Sequence, residues 1–175
     1  MADATIIAGA AVLLPLTLLV AHFDVRYRRI PNALTLGVLS SGLAVHLACR
    51  GGAGLRDSLL GCLFAFSLML AVRCLTGLGA GDVKLFGAIG ALLGPQNVLP
   101  AFLFVVLLGG ALALAAVLRA GMVRQTWWGV YRIFAGMLPG GLMPAREEFA
   151  RSGLTIPYGV AVAGGGLLQA LRALS

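Results

Sequence analysis

The chain has 175 residues, of which 60% are hydrophobic and only 11% are charged, and its mean hydropathy is +0.99. Soluble domains average about 45–50% apolar and about 25% charged residues. A chain of this size cannot bury that much apolar surface away from water. The composition therefore excludes a soluble domain and indicates an integral membrane protein that has the lipid bilayer as a partner.

The net charge of +7 does not indicate a nucleic-acid partner, because the basic residues lie between apolar runs rather than in one patch. No segment alternates over about ten residues as an outer-membrane strand does. The 25 glycines suit closely packed helices in lipid. The predicted fold is all-α and polytopic, with about six transmembrane helices.

Apolar runs of near membrane-spanning length, about 20 residues, recur along the chain. The predicted spans are 6–23, 33–49, 58–75, 82–94, 98–118 and 154–174. The fourth is short, since Val83 to Leu93 extends only about 16 Å as a helix. Residues 119–153 are the longest hydrophilic stretch, and their aromatic and basic composition predicts a segment along the cytoplasmic interface. We expect residues 1–175 to form a single membrane domain.

The distribution of Lys and Arg predicts the orientation of these spans. An external N-terminus leaves ten basic residues on the cytoplasmic side and three outside, which is the usual asymmetry. The cytoplasmic residues are Arg26, Arg28, Arg29, Arg73, Lys84, Arg119, Arg124, Arg132, Arg146 and Arg151, and the external ones are Arg50, Arg56 and Arg172. The end of the first span and the start of the fourth then share the cytoplasmic boundary.

Two of the six acidic residues directly border apolar spans. Asp24 ends the first span and Asp82 begins the fourth. A carboxylate costs about 2.5–3.5 kcal/mol at mid-bilayer, so carboxylates placed directly against membrane spans indicate a function. Two carboxylates at one membrane depth predict an acid/base pair that shares one proton. In an aspartyl protease, one takes a proton from water and the other polarises the scissile carbonyl.

Simpler interpretations exist for the same residues. Asp24 suits a salt-bridging helix terminus beside Arg26, Arg28 and Arg29. Asp82 suits a helix N-cap, where Asp is favoured. Gly79 and Gly81 shape a loop or a close helix contact in that interpretation. They also leave the backbone beside Asp82 bare, so that an unwound peptide can lie against it.

Three further residues have structural explanations by physics alone. Lys84 does not share a helical face with Asp82 and suits a snorkelling anchor. Pro157 and Tyr158 begin the last span, where a first-turn Pro and an interfacial Tyr are typical. The three cysteines are too widely spaced for a CxxC pair and have no His at ligand spacing, so the sequence predicts no metal site.

Three motifs give the chain a family resemblance. They are FDVRYRRIPN at 23–32, GAGDVK at 79–84 and IPYG at 156–159. Together they resemble the type IV prepilin peptidases, most closely the short form that serves Flp/Tad-type pili, over nearly the whole chain. GxGD alone also occurs in intramembrane proteases of the presenilin and signal-peptide-peptidase kind, and archaeal preflagellin peptidases share it.

The resemblance implies a membrane aspartyl endopeptidase, a hydrolase in which Asp24 and Asp82 are the catalytic pair. Lys84, Pro157 and Tyr158 lie within the matching motifs and are candidate supporting residues. The implied substrate is a pilin or pseudopilin precursor of a type IV pilus or secretion system. The precursor is cut between a basic leader and an apolar helix at the cytoplasmic face of the bacterial inner membrane.

The resemblance also implies which activities to expect. Long bacterial members carry an additional cytoplasmic region with paired CxxC motifs and also N-methylate the new terminus. This chain has no such region, so we expect peptidase activity without methyltransferase activity. No metal or organic cofactor is implied.

Two other classes of function remain open. A small proton-coupled transporter, or a subunit of one, would use the two Asp as proton carriers. Its expected feature is a carboxylate near the middle of a span, accessible from both sides. Both carboxylates are predicted here at one face, which favours the protease. A structural assembly subunit would tolerate the neutralisation of either Asp.

Overall fold

The computed structural model describes residues 2–27, 30–76, 78–121 and 158–173. These residues form α1 (Ala2–Tyr27), α2 (Asn32–Thr76), α3 (Ala80–Leu93), α4 (Pro95–Ala120) and α5 (Tyr158–Arg172). They contain no strand, and the all-α prediction is confirmed. The predicted interfacial segment lies, after Gly121, outside the described residues, as does Pro157.

Three of these helices are long and apolar enough to cross a bilayer, over the segments Ile7–Asp24, Asn32–Cys74 and Pro95–Arg119. Large apolar side chains cover their outer faces. Leu18 in α1 and Leu107 in α4 are 67% and 69% exposed. Such a surface is unfavourable in water and suits contact with lipid, so the chain is a membrane protein with at least these candidate spans.

Helix α2 is a hairpin of two helical arms rather than one rod. The backbone leaves the helix at Gly51, with φ 61° and ψ −143°, a left-handed conformation that glycine adopts without strain. Gly54 then lies against the backbone oxygen of His46, although eight residues of continuous helix would separate them by about 12 Å. Arg50 and Asp57 form an ion pair of 2.6 Å beside this tip.

Helix α3 is the central helix of the core, and its residues from Val83 to Leu92 are buried apart from Lys84. Both arms of α2 approach its backbone closely. A Cβ added to Gly42 of the first arm would lie 2.9 Å from the Ala91 carbonyl carbon, and Gly61 of the second arm lies against Gly90. Glycine at these positions therefore permits backbone contact that a side chain would prevent.

Helices α1 and α5 pack in opposite directions along the same core. Thr17 donates a hydrogen bond to the carbonyl oxygen of Ala163 at 3.4 Å, and the Val160 amide donates to Asp24 at 3.3 Å. The C-terminal end of α1 therefore lies beside the N-terminal end of α5. The described residues up to Gly109 form one compact unit with α5, and the end of α4 from Gly110 belongs to a second.

Candidate active site

Asp24 lies near the end of α1 and faces the first turn of α5. Its side chain is only 8% exposed. The Val160 amide donates to Asp24 Oδ2 at 3.3 Å, and the Gly159 amide donates to the same carboxylate. The first turn of a helix has unpaired N–H groups and the positive end of the helix dipole. Asp24 therefore binds α5 as an anion binds a helix N-terminus.

This contact differs from the simpler interpretation of Asp24 as a partner of Arg26, Arg28 and Arg29, of which Arg28 and Arg29 lie outside the described residues. Arg26 is exposed on α1, and no ion pair joins it to Asp24 in the described part of the chain; the ion pair found there joins Arg50 and Asp57. Asp24 is thus held by backbone amides from a helix that is 136 residues further along the chain.

Asp82 lies in the first turn of α3. The N-cap of this helix is Gly79, with φ −60° and ψ 141°, and it provides no side-chain hydrogen bond. The interpretation of Asp82 as the N-cap is therefore wrong, because Asp82 is already the third helical residue. Its carboxylate reaches back over the cap, and a Cβ added to Gly79 would lie 3.0 Å from Asp82 Oδ2.

The structure brings the two carboxylates together, close enough for Asp24 to act electrostatically on Asp82. Ile30 lies between the elements that carry them. A Cβ on Gly81 would lie 3.7 Å from Ile30 Cβ, and a Cβ on Gly159 would lie 3.1 Å from Ile30 Cδ1. The starts of α2, α3 and α5 and the end of α1 therefore converge on this one side chain.

The candidate supporting residues differ in their relation to this pair. Tyr158 is the first residue of α5, interacts electrostatically with Asp82, and packs its ring over Gly109 of α4, where a Cβ would lie 2.6 Å from Tyr158 Cε2. Lys84 is exposed, and its Nζ donates to Asn32 Oδ1 at the start of α2 at 3.5 Å. Tyr158 thus adjoins the carboxylates, whereas Lys84 links α3 to α2.

The backbone beside Asp82 is accessible. Gly79 and Ala80 are exposed, and Gly81 is partly exposed. Behind this segment, Arg73 at the end of α2 donates a hydrogen bond to the carbonyl oxygen of Leu78. The loop that leads into α3 is therefore tethered from α2 and remains open at the glycines.

Sequence reasoning missed three contributors to this site: Ile30, Gly159 and Arg73. Ile30 and Gly159 lie within the FDVRYRRIPN and IPYG motifs. The motifs therefore mark these two positions, but they do not show that both residues lie beside the carboxylates. Among the described residues, no group of three or more His, Cys, Asp and Glu side chains is arranged to hold a metal ion.

Two neighbouring carboxylates at helix ends of an apolar helical bundle define a class of membrane proteins with acidic residues at their helix ends, where such residues are rare. Comparison with known proteins identifies the family. The sequence profile of the type IV leader peptidase family matches residues 11–114, which is more than half of the chain and includes both Asp24 and Asp82. The chain belongs to the type IV leader peptidase family, and the resemblance noted in the sequence is confirmed.

Individual relatives agree with this assignment. The chain is 34% identical over 119 residues to the prepilin leader peptidase/N-methyltransferase of Bacillus subtilis (strain 168), covering 66% of this chain and 47% of the relative. It is 33% identical over 102 residues to the prepilin leader peptidase/N-methyltransferase of Klebsiella pneumoniae, covering 55% of this chain and 45% of the relative.

A third relative is the type 4 prepilin-like proteins leader peptide-processing enzyme of Escherichia coli O78:H11 (strain H10407 / ETEC). It is 33% identical over 81 residues, which cover 42% of this chain and 30% of the relative. The chain thus spans less than half the length of each of these relatives. No solved structure matches it significantly.

Proposed function

We propose that this protein is an aspartic endopeptidase that removes the basic leader from pilin or pseudopilin precursors, with Asp24 and Asp82 as its catalytic pair. The observation that carries the proposal is the placement of these two carboxylates beside one another, where the end of α1 and the starts of α3 and α5 meet around Ile30. They come from the ends of different helices, and membership of the leader peptidase family supplies the matching chemistry.

The proposed reaction uses one water molecule between the two carboxylates. Two neighbouring carboxylates do not both ionise readily, so the pair retains one proton. The ionised member takes a proton from the water, whose oxygen attacks the scissile carbonyl, while the protonated member donates a hydrogen bond to the carbonyl oxygen. The tetrahedral intermediate then collapses, the C–N bond breaks, and a proton passes to the leaving amine.

The exposed backbone around Gly79 and Gly81 supports a route for the substrate. A peptide must be extended to be cut, and its backbone must approach the carboxylates closely. The exposure of Gly79 and Ala80 leaves such an approach free of bulky side chains. Tyr158, beside Asp82, is a proposed supporting residue.

The proposed topology has six spans within one membrane domain, 1–175. Its support is the helical hairpin: with the two arms of α2 counted separately, the described residues contain six helical segments. The N-terminus is proposed to be outside, and both Asp face the cytoplasm. The protein is accordingly proposed to lie in the bacterial inner membrane, where precursors present their basic leaders.

We propose leader cleavage without N-methylation. Two of the relatives are named as bifunctional peptidase/N-methyltransferases, and the match covers less than half of each. The 175 residues contain three cysteines and no CxxC motif. Incubation with a precursor and radiolabelled S-adenosylmethionine would test this, because incorporation of label into the processed pilin would contradict it.

The main test is cleavage by the purified protein in detergent of a pilin precursor encoded in the same genome. Asp24→Asn and Asp82→Asn should each lower cleavage by about 10²–10⁴-fold, the usual contribution of acid–base catalysis, while the fold is retained. Asp57→Asn is the matched control, because this carboxylate pairs with Arg50 at the hairpin tip; it should cleave normally.

The same assay separates the alternatives. A proton-coupled transporter would break no peptide bond in any variant, and an assembly subunit would be indifferent to both substitutions. Near wild-type cleavage by either well-folded Asn variant would refute the aspartic peptidase proposal.

A further inference from the structure

Gly159, the second residue of α5, lies directly against the Asp24 carboxylate. A Cβ at this position would lie 2.9 Å from Asp24 Oδ2 and 3.0 Å from Asp24 Cγ. It would also lie 3.1 Å from Ile30 Cδ1. A methyl group therefore has no room here unless Asp24 or the first turn of α5 moves.

The need for glycine here is steric and not conformational. The described glycines with positive φ are Gly51, Gly94 and Gly121, and Gly159 is not among them. Any residue can adopt its helical backbone. What only glycine allows is the close approach of the α5 backbone to a carboxylate on another helix.

This close approach determines how Asp24 is held. The Val160 amide reaches Oδ2 at 3.3 Å, and the Gly159 amide donates to the same group. We infer that Gly159 is a positioning residue whose missing side chain lets the first turn of α5 fix the orientation of the Asp24 carboxylate. The inference rests on the proposed role of Asp24, and it extends the site beyond the region that the family match covers, which ends at residue 114.

Helix α5 provides internal controls for added methyl groups. A Cβ on Gly166 would lie 2.7 Å from Ile89 Cγ2 in the core, a clash as severe as that at Gly159 but against an apolar side chain. A Cβ on Gly164 would lie 3.3 Å from Leu108 Cδ1, at the end of a flexible side chain. Gly166→Ala therefore controls for overpacking, and Gly164→Ala controls for the substitution itself.

The first test measures kcat and KM for precursor cleavage together with the melting temperature in detergent. Gly159→Ala should lower kcat by about 10²-fold, since a displacement of about 1 Å at a reacting group has that effect, and should change KM by less than about threefold. Gly166→Ala should lower the melting temperature at least as much but leave the kcat of the folded fraction unchanged. Gly164→Ala should behave like the wild type.

A second variant removes the hydrogen bond itself, and the ring Cδ then takes the place of the amide hydrogen beside the carboxylate. Val160→Pro deletes the amide that donates to Asp24, and proline is tolerated in the first turn of a helix, where this N–H has no intrahelical partner. The preceding residue is Gly159, which has no Cβ to clash with the proline ring. Val160→Pro should lower kcat by at least about tenfold, with KM nearly unchanged, because the carboxylate loses its donor and is displaced by the ring.

The outcomes separate this inference from the proposed function. Wild-type kcat in both Gly159→Ala and Val160→Pro, with Asp24→Asn inactive, would overturn the positioning role and leave the catalytic pair intact. An equal loss of kcat in folded Gly166→Ala would also overturn it, because the effect would then be general overpacking. Full activity in Asp24→Asn would instead refute the proposed function itself.

Discussion

The two ends of α3 differ in how their backbone groups are satisfied. At the C-terminal end, four consecutive carbonyl oxygens each accept a hydrogen bond, and we call this the closed end. The donors are the Gly94 amide to Gly90 at 3.0 Å, Ser58 Oγ to Ala91 at 2.8 Å, His46 Nε2 to Leu92 at 3.1 Å and Asn97 Nδ2 to Leu93 at 3.0 Å.

At the N-terminal end, which we call the open end (79–82), Gly79 caps the helix without a side-chain hydrogen bond, and Gly79 and Ala80 are exposed. In the low-dielectric interior of a membrane, an unsatisfied backbone group costs several kcal/mol. The closed end meets this requirement with side chains from both arms of α2 and from α4. Helix α3 is therefore anchored at the end that carries no carboxylate and left uncovered at the end that carries Asp82.

The largest expected effect concerns the pair at the open end. Because Asp24 and Asp82 are proposed to act on one water, the double variant Asp24→Asn/Asp82→Asn should cleave no more slowly than either single variant. If the loss of cleavage rate in the double variant equalled the product of the two single losses, the carboxylates would act independently. The measurement is single-turnover cleavage of a pilin precursor, with Asp57→Asn as the control.

Gly81 at the open end tests access of the substrate backbone. A Cβ there would meet Ile30 at 3.7–4.0 Å, which is ordinary contact, so Gly81→Ala should fold normally. Gly81→Val should lower kcat/KM by about 10²-fold, because a branched side chain obstructs a peptide and restricts the backbone. The kcat/KM of Gly81→Ala should lie between those of Gly81→Val and the wild type. Full activity of Gly81→Val would leave this glycine as a turn residue only.

His46 at the closed end should affect stability and not chemistry. It is 4% exposed, and His46→Ala leaves the Leu92 carbonyl without its donor, at a cost of about 1–3 kcal/mol. We expect a lower melting temperature and a nearly unchanged kcat in the folded fraction. Ser40→Ala is the control, because Ser40 is exposed and bonds only within its own arm, to Gly37. A large loss of kcat in folded His46→Ala would mean that the closed end takes part in catalysis.

The smallest expected effect is at the hairpin tip. The Arg50–Asp57 pair has side chains that are 43% and 31% exposed, and such surface pairs contribute only about 0.2–1 kcal/mol. Arg50→Gln should therefore lower the melting temperature slightly, and less at high salt. A loss as large as that of His46→Ala would show that the tip is needed to hold the two arms together.

The sequence alone predicts the open end better than the closed end. The positions of Asp24 and Asp82 follow from span lengths and from the asymmetry of basic residues, because a carboxylate beside an apolar run is conspicuous. The Gly-rich stretch at 50–56 likewise indicates a turn, and the helix breaks at Gly51.

The closed end is inconspicuous in the sequence. His46, Ser58 and Asn97 are ordinary polar residues whose partners are backbone carbonyls, and such partners leave no pattern in the sequence. Gly159 is one of 25 glycines, and only the approach of Asp24 distinguishes it. The N-cap of α3 differs from the sequence interpretation for a related reason, because Asp and Gly are both found at N-caps and the sequence does not distinguish Asp82 from Gly79.

The break at Gly51 also bears on how the chain enters the membrane. In the proposed topology, the tip of α2 crosses the bilayer while its two apolar arms remain within the hydrocarbon. The two arms therefore enter the membrane together as one unit. Transfer of a lone charge through hydrocarbon is strongly opposed. The 2.6 Å contact between Arg50 and Asp57 pairs the positive charge of Arg50 with a negative charge within the tip itself. In the proposed topology, the tip therefore crosses the bilayer with Arg56 as its one unpaired charge.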